Sequence, residues 1–234
     1  IAARVKSLKP ITQRAVLELA DVISPPAKRP TAYGVLKTNA IPLGSTSYGA
    51  TGVSGGLFAL SCRLNHSCLP NARYIWREDL QRELVFALRP ITSGEEVTVN
   101  YIGPYLPLAK RQARLQRSFR FNCACPLCSA PSDESDDRLV EIQQLIDDVP
   151  KVGYTDQRRA LKMAERVLKL LRDEGRDTAV DMGCVHYDAF QMAIAIGDKR
   201  KAKVHMRNAL NCAEICEGVG SPQAAKYTSR LGCL

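Results

Sequence analysis

No run of about 18 consecutive apolar residues occurs in the 234-residue chain, so no helix of membrane-spanning length is expected. No secretory leader opens it, and a first residue of Ile1 and not Met marks the chain as an expected fragment. The glycines of residues 44–56 supply neither the Gly-Lys-Ser/Thr of a phosphate loop nor a dinucleotide fingerprint. A long basic tract is also missing. The 33 Lys and Arg outweigh 24 Asp and Glu, giving a net charge of +9 and a pI of about 9.2. Such a balance often meets nucleic acid or acidic partners. Here the cations come in short pieces, Lys110-Arg111, Arg158-Arg159 and Lys199-Arg200-Lys201, which read as solvated helix faces. Direct nucleic-acid binding is therefore not expected.

Cysteine is not lacking, but a disulfide framework is. Nine cysteines, an odd number at uneven spacing, argue against a secreted scaffold and for a reducing intracellular compartment, nucleus or cytoplasm. A hydrophobic content of 45% and a charged content of 24% are those of an ordinary soluble protein, long enough for one large or two small domains.

Along the chain, residues 11–23 carry Ile11, Val16, Leu17, Leu19 and Ala20 as an amphipathic helix between Pro10 and Pro25-Pro26. Residues 33–43 read as strand-like, and residues 44–56 as a flexible linker. From Asn71 to Tyr101 the signal is β, with Leu84, Phe86 and Leu88 alternating and then Val97, Val99 and Tyr101 on one strand face. Residues 129–137 are polar and acidic, a second linker. Beyond them the pattern is helical: residues 156–173 align Ala160, Leu161, Ala164, Val167, Leu168 and Leu171 on one stripe. Residues 189–210, with small residues and a Gly197-Asp198 turn, look like a tetratricopeptide-type hairpin.

Cys123, Cys125 and Cys128 form the strongest chemical signal. Zinc prefers thiolates in a tetrahedral shell, and this spacing brings several sulfurs to one ion from a tight turn. The fourth ligand must come from elsewhere, and spacing leaves Cys62, Cys68, His66, Cys184, His186, His205, Cys212, Cys216 and Cys233 open.

Three segments stand in order: Asn65-His66-Ser67-Cys68-Leu69-Pro70-Asn71, then Gly94-Glu95-Glu96 leading to Tyr101, then the cysteine triplet. Together they resemble the second half of a SET-domain protein lysine methyltransferase of the SET-and-MYND type. The resemblance implies an α+β fold: a partial SET-domain β-fold over residues 1–102 with a helical insert at 1–30, a zinc-binding post-SET segment at 103–130, and a TPR-like, all-α C-terminal region at 131–234. It implies S-adenosyl-L-methionine as cofactor, held by Asn65, His66, Phe121 and the upstream Asn39. It implies one structural zinc ion, with Cys68 joining Cys123, Cys125 and Cys128. Tyr101 would be catalytic, steadying the transferring methyl through weak C–H···O contacts. Phe119 would line the lysine channel where a Tyr often stands, and its missing hydroxyl bears on the number of methyl groups transferred.

The implied partner is a protein substrate presenting a lysine, such as a histone tail, and the helical region is an expected surface for a further protein partner. No Lys/Arg-Gly-x-Gly sequence, the family's cofactor segment, and no MYND finger are found, so the chain is expected to begin inside the SET insert. A non-catalytic SET-like interaction scaffold is therefore the competing expectation.

Overall fold

The structure is a computed structural model and describes residues 2–25, 28–43 and 55–234. Its first helices are short: α1 spans Ala2–Lys6 and α2 spans Pro10–Leu17. Pro10 starts α2 where its missing N–H is not needed. The helix expected over residues 11–23 ends early because its stripe meets nothing: no α2 residue is buried, and Ile11 is 78% exposed. Leu19, past the helix, is the residue that reaches the core. The chain then wraps around Asp21, whose carboxylate accepts the backbone N–H groups of Ile23, Ser24 and Thr31. Those bonds, Thr31 foremost, hold the Asp21 carboxyl well below the usual range.

Residues 33–43, expected as a strand, are mostly helix α3, Ala32–Asn39. Thr31 supplies the cap, accepting from Gly34 N at 3.0 Å, a local bond that outweighs the β-leaning composition. Gly34 allows the Asp21 loop to close over the helix, since a Cβ there would run into the Asp21 carboxylate. Strand β1, Ile41–Pro42, pairs antiparallel with β2, Gly55–Gly56. Gly55 and Gly56 are thus sheet and not linker, while the rest of that expected linker, residues 44–54, lies outside the described residues.

Strand β3, Asn65–His66, pairs in parallel with β6, Thr98–Val99, matching Asn65 to Thr98 and His66 to Val99. Between them, β4 (Ala72–Arg77) and β5 (Arg82–Ala87) make a six-residue antiparallel hairpin. The expected β region thus contains real strands, although β6 is shorter than its alternation suggests. Only Val99 of that alternating face is buried; Val97 and Tyr101 are half-buried.

Helix α4, Leu108–Phe119, and the short α5, Pro126–Ser129, lie in the segment expected to bind zinc, residues 103–130. The linker expected at 129–137 shrinks to residues 130–132, because α6 (Asp133–Gly153) starts at once. Ser132 caps it, and Asp133, Glu134 and Asp136 sit in its first turn, where the helix dipole favours negative charge. Acidic composition was the mark of a helix start. Helices α7 (Gln157–Asp173), α8 (Ala179–Ala195), α9 (Lys199–Glu217) and α10 (Pro222–Gly232) follow, each packed on its sequence neighbour. The expected α7 stripe is buried with Leu170 added, and Gly197 with φ 77° turns α8 into α9. Each fully buried aliphatic side chain contributes about 2 kcal/mol.

The helical core also takes in Tyr105 and Leu127 from residues 103–130. Leu108 N donates to both Asp136 oxygens at 2.9 Å, and Arg77 Nη1 donates to the Glu217 carbonyl at 3.0 Å. The helices and the strands are therefore bonded across their boundary.

Candidate functional site

Cys68 follows β3, Cys125 caps α5, and Cys128 lies within α5, its N–H donating to the Cys125 carbonyl at 2.8 Å. Gln112 of α4 clamps Cys123 with two bonds of 2.8 Å, one to its N–H and one to its carbonyl. The four sulfurs lie within 4.8 Å of one another. Cys68 Sγ is 3.6 Å from Cys128 Sγ and 4.0 Å from Cys123 Sγ. A tetrahedron with Zn–S bonds of about 2.3 Å has edges of about 3.8 Å. A disulfide needs about 2.05 Å, and all nine thiols are free.

Four thiols this close cannot all ionise unaided. Hydrogen bonding from Cys68 pulls Cys125 down to about 3, while the same contact pushes Cys68 far up and burial raises Cys123 to about 11. A divalent cation removes that conflict by compensating every thiolate. The donor set fits zinc.

Beside the cluster, His66 Nδ1 accepts the Tyr101 N–H at 3.0 Å, so its proton is assigned to Nε2, which faces Cys68 Sγ at 3.3 Å. Burial pushes His66 down to about 4, keeping the ring neutral. Tyr101 donates its hydroxyl to the Leu64 carbonyl, and burial raises its pKa. Its ring lies 4.9 Å from Phe119 at 47° and 5.2 Å from His66. Phe121 lies 6.1 Å from His66. Arg120 between the two phenylalanines adopts a left-handed φ of 61°, ending α4 and turning Phe121 onto the same side as Phe119.

Tyr101, Phe119 and Phe121 border a cleft of about 1360 Å³, larger than the roughly 300–1,000 Å³ of a single-ligand pocket. Asn39, Leu64, Asn65, Val99, Tyr101, Phe119 and Phe121 line it. Every cofactor and channel residue expected from the sequence stands on this wall except His66, which sits behind it against Cys68. The side-chain amide of Asn65 donates to Glu96 at 2.6 Å. That of Asn39 donates to the Ala20 and Val35 carbonyls at 2.7 Å each. Three participants were not singled out from sequence: Leu64, Asn71 and Arg176, whose Nη2 donates to the Cys68 carbonyl at 2.9 Å. Asn71, 2% exposed, accepts from Thr98 N and donates to Glu95 and Glu96, locking the first motif onto the Gly94-Glu95-Glu96 turn. Its place in the quoted motif was the available signal.

A SET-domain family profile matches residues 15–102. The histone-lysine N-methyltransferase set5 of Schizosaccharomyces pombe is 28% identical over 178 residues, 74% of this chain and 56% of that protein. The protein-lysine N-trimethyltransferase SMYD5 of Mus musculus is 38% identical over 82 residues, 34% of this chain and 20% of that protein. The SET domain and MYND-type zinc finger protein 6 of Schizosaccharomyces pombe is 34% identical over 93 residues, 40% and 18% respectively. The chain thus spans about half or less of the length of these relatives. Over residues 15–102 the chain matches a SET domain, and the relatives similar to it are named as lysine methyltransferases and as a SET and MYND-type protein.

Proposed function

We propose that these residues are part of an S-adenosyl-L-methionine-dependent protein-lysine N-methyltransferase whose site is the cleft around Tyr101. One observation carries the reading: Asn39, Asn65, Tyr101, Phe119 and Phe121 border one cleft, and His66 ties its wall to the cysteine cluster. S-adenosyl-L-methionine, when bound, supplies a methyl group activated by a sulfonium. Asn65 and Asn39 are assigned to hold it by their amides, His66 partly by its backbone, and Phe121 by its ring.

Methyl transfer to a lysine is an in-line displacement that needs a neutral amine held on the axis, a matter of positioning. The Tyr101 and Phe119 rings strip water from an entering ammonium, which lowers its pKa and eases loss of its proton. Because the Tyr101 hydroxyl gives its own hydrogen to Leu64, its oxygen lone pairs remain for C–H···O contacts. Cys68, Cys123, Cys125 and Cys128 would hold one zinc ion with no position left for water, so its part is to brace the segment that carries Phe119 and Phe121.

The test uses the full-length product with labelled S-adenosylmethionine and protein substrates, histones among them. Tyr101→Phe is expected to abolish labelling; labelling unchanged by it overturns the reading. A second reading, a non-catalytic interaction scaffold, is favoured by the amides of Asn39 and Asn65, both already donated inside the protein. Zinc-loaded full-length protein that binds no S-adenosylhomocysteine in a calorimeter selects it.

A further inference from the structure

The two most deeply buried charges are not in the cleft. Arg111 and Arg176 are each 1% exposed. Each also keeps a buried Nε–H with no acceptor among the described residues. A buried orphan donor is costly, so a guanidinium retained on those terms is explained by what its other nitrogens hold. Arg111 donates Nη1 to the Leu106 carbonyl at 2.6 Å and pairs with Asp136 of α6 at 3.5 Å, but among the described residues it makes no hydrogen bond to a cysteine of the cluster. Arg176 reaches further. From the turn between α7 and α8, its Nη2 donates to the main-chain carbonyl of Cys68 at 2.9 Å. This is a charge-assisted bond from the helical region to a member of the cysteine cluster.

Several groups aim that fork. Asp181 Oδ1 stands 3.8 Å from Arg176 Nη1, and the guanidinium lies 5.7 Å from the Tyr105 ring centroid. Asp181 is itself fixed, accepting the Tyr105 hydroxyl at 2.8 Å and the Thr178 hydroxyl at 2.8 Å. The target of the fork is the residue where cluster and cleft meet. Cys68 Sγ faces its fellow thiols on one side and His66 Nε2 on the other, and His66 in turn receives the Tyr101 N–H.

We infer that Arg176 is a positioning residue: its guanidinium fixes the Cys68 main chain and thereby sets both the sulfur geometry of the metal centre and the His66–Tyr101 contact at the cleft. This rests on the methyltransferase and zinc reading above. It adds that the site is completed by a residue of the helical region, beyond the SET match over residues 15–102. Lysine cannot substitute, because one ammonium on a flexible stem does not hold the carbonyl and Asp181 in one rigid plane.

The test measures two quantities in the full-length product: the rate of zinc release to a chromogenic chelator and the affinity for S-adenosylhomocysteine. Arg176→Lys and Arg176→Met are compared with Leu170→Ala, which hollows the same helical core without touching the fork. Zinc release about tenfold faster is expected in both Arg176 variants, with weaker S-adenosylhomocysteine binding. Leu170→Ala is expected to lower the Tm and move neither quantity. Release that simply tracks Tm across the three variants overturns the inference, as does Arg176→Lys behaving like wild type. If Arg176→Met does not fold, Tyr105→Phe removes one of the two hydroxyls that hold Asp181, the one on the oxygen facing Arg176; faster release is then expected, and none overturns the inference. Metal analysis of the unmodified protein comes first, because finding no zinc there sinks the metal reading itself.

Discussion

Asn71 does the work of several ladder bonds with one side chain. Its Oδ1 accepts from Thr98 N at 2.9 Å, and its Nδ2 donates to Glu95 Oε1 and to the Glu96 carbonyl at 2.8 Å each. Glu95 is in turn held by Arg89, the first cause of a carboxyl pKa brought down to about 2. Asn71→Ala leaves the Thr98 N–H and Glu96 carbonyl without their partner, and a loss of about 2–3 kcal/mol is expected from urea denaturation. Asn71→Asp keeps the acceptor but sets a second carboxylate against Glu95. That new carboxyl is raised in the folded state, so the variant's deficit is expected to shrink as pH falls toward 4 and to be full at pH 7. A deficit independent of pH would contradict this account. At this scale the sequence displayed the right residues and hid their partners. Asn65 and Tyr101 were legible from their motifs. Their bonds to Glu96 and Leu64 were not, because spacing reports which side chains are present and says nothing of contacts formed 31 and 37 residues away.

The α8–α9 hairpin carries a buried histidine pair, His186 and His205, with Nδ1 atoms 3.0 Å apart. One ring must donate and the other accept. Burial pushes His186 down to about 4, helped by His205 and Arg172, and lowers His205 as well, with Lys201 adding to that and Glu165 and Asp198 opposing it. Both folded pKa values lie below the unfolded value of about 6.5, so the folded state binds fewer protons there. Stability is therefore full above pH 6.5 and falls as the pH drops toward 4. Asp188, raised by burial to about 6, acts in the opposite sense, so the diagnostic is a difference. The gap in Tm between wild type and His186→Gln is expected to narrow from pH 7.5 to pH 5; a constant gap would rule the pair out as its source. The hairpin itself was legible, since Gly197-Asp198 and a run of small residues encode turn and packing together. The Thr31 cap of α3 and the Ser132 cap of α6 were missed for a common reason. Cap bonds are local, but composition over ten residues averages them away, so a helix was read as a strand and a helix start as a linker.

Across the whole molecule, the helices own a continuous core while the β portion is built from two-stranded sheets, none of which is stable alone in water. The β portion must therefore borrow stability from the cysteine cluster and from the bonds that reach it across the boundary: Arg176 to Cys68 and Arg77 to Glu217. The chain's single tryptophan, Trp76, sits in β4 and reports on that portion, while far-UV ellipticity reports mainly on α6 to α10. In the zinc-loaded chain the two signals are expected to share one urea midpoint, the signature of a single cooperative unit. Stripping zinc with a chelator removes one support, so the Trp76 transition is expected to move to lower urea and separate from the helical one. Asp181→Asn, which loosens the Arg176 fork, is expected to separate them in the same order with zinc still bound. Midpoints that differ in the loaded wild type, or a helical transition that precedes the Trp76 one, would mean that the β portion stands on its own.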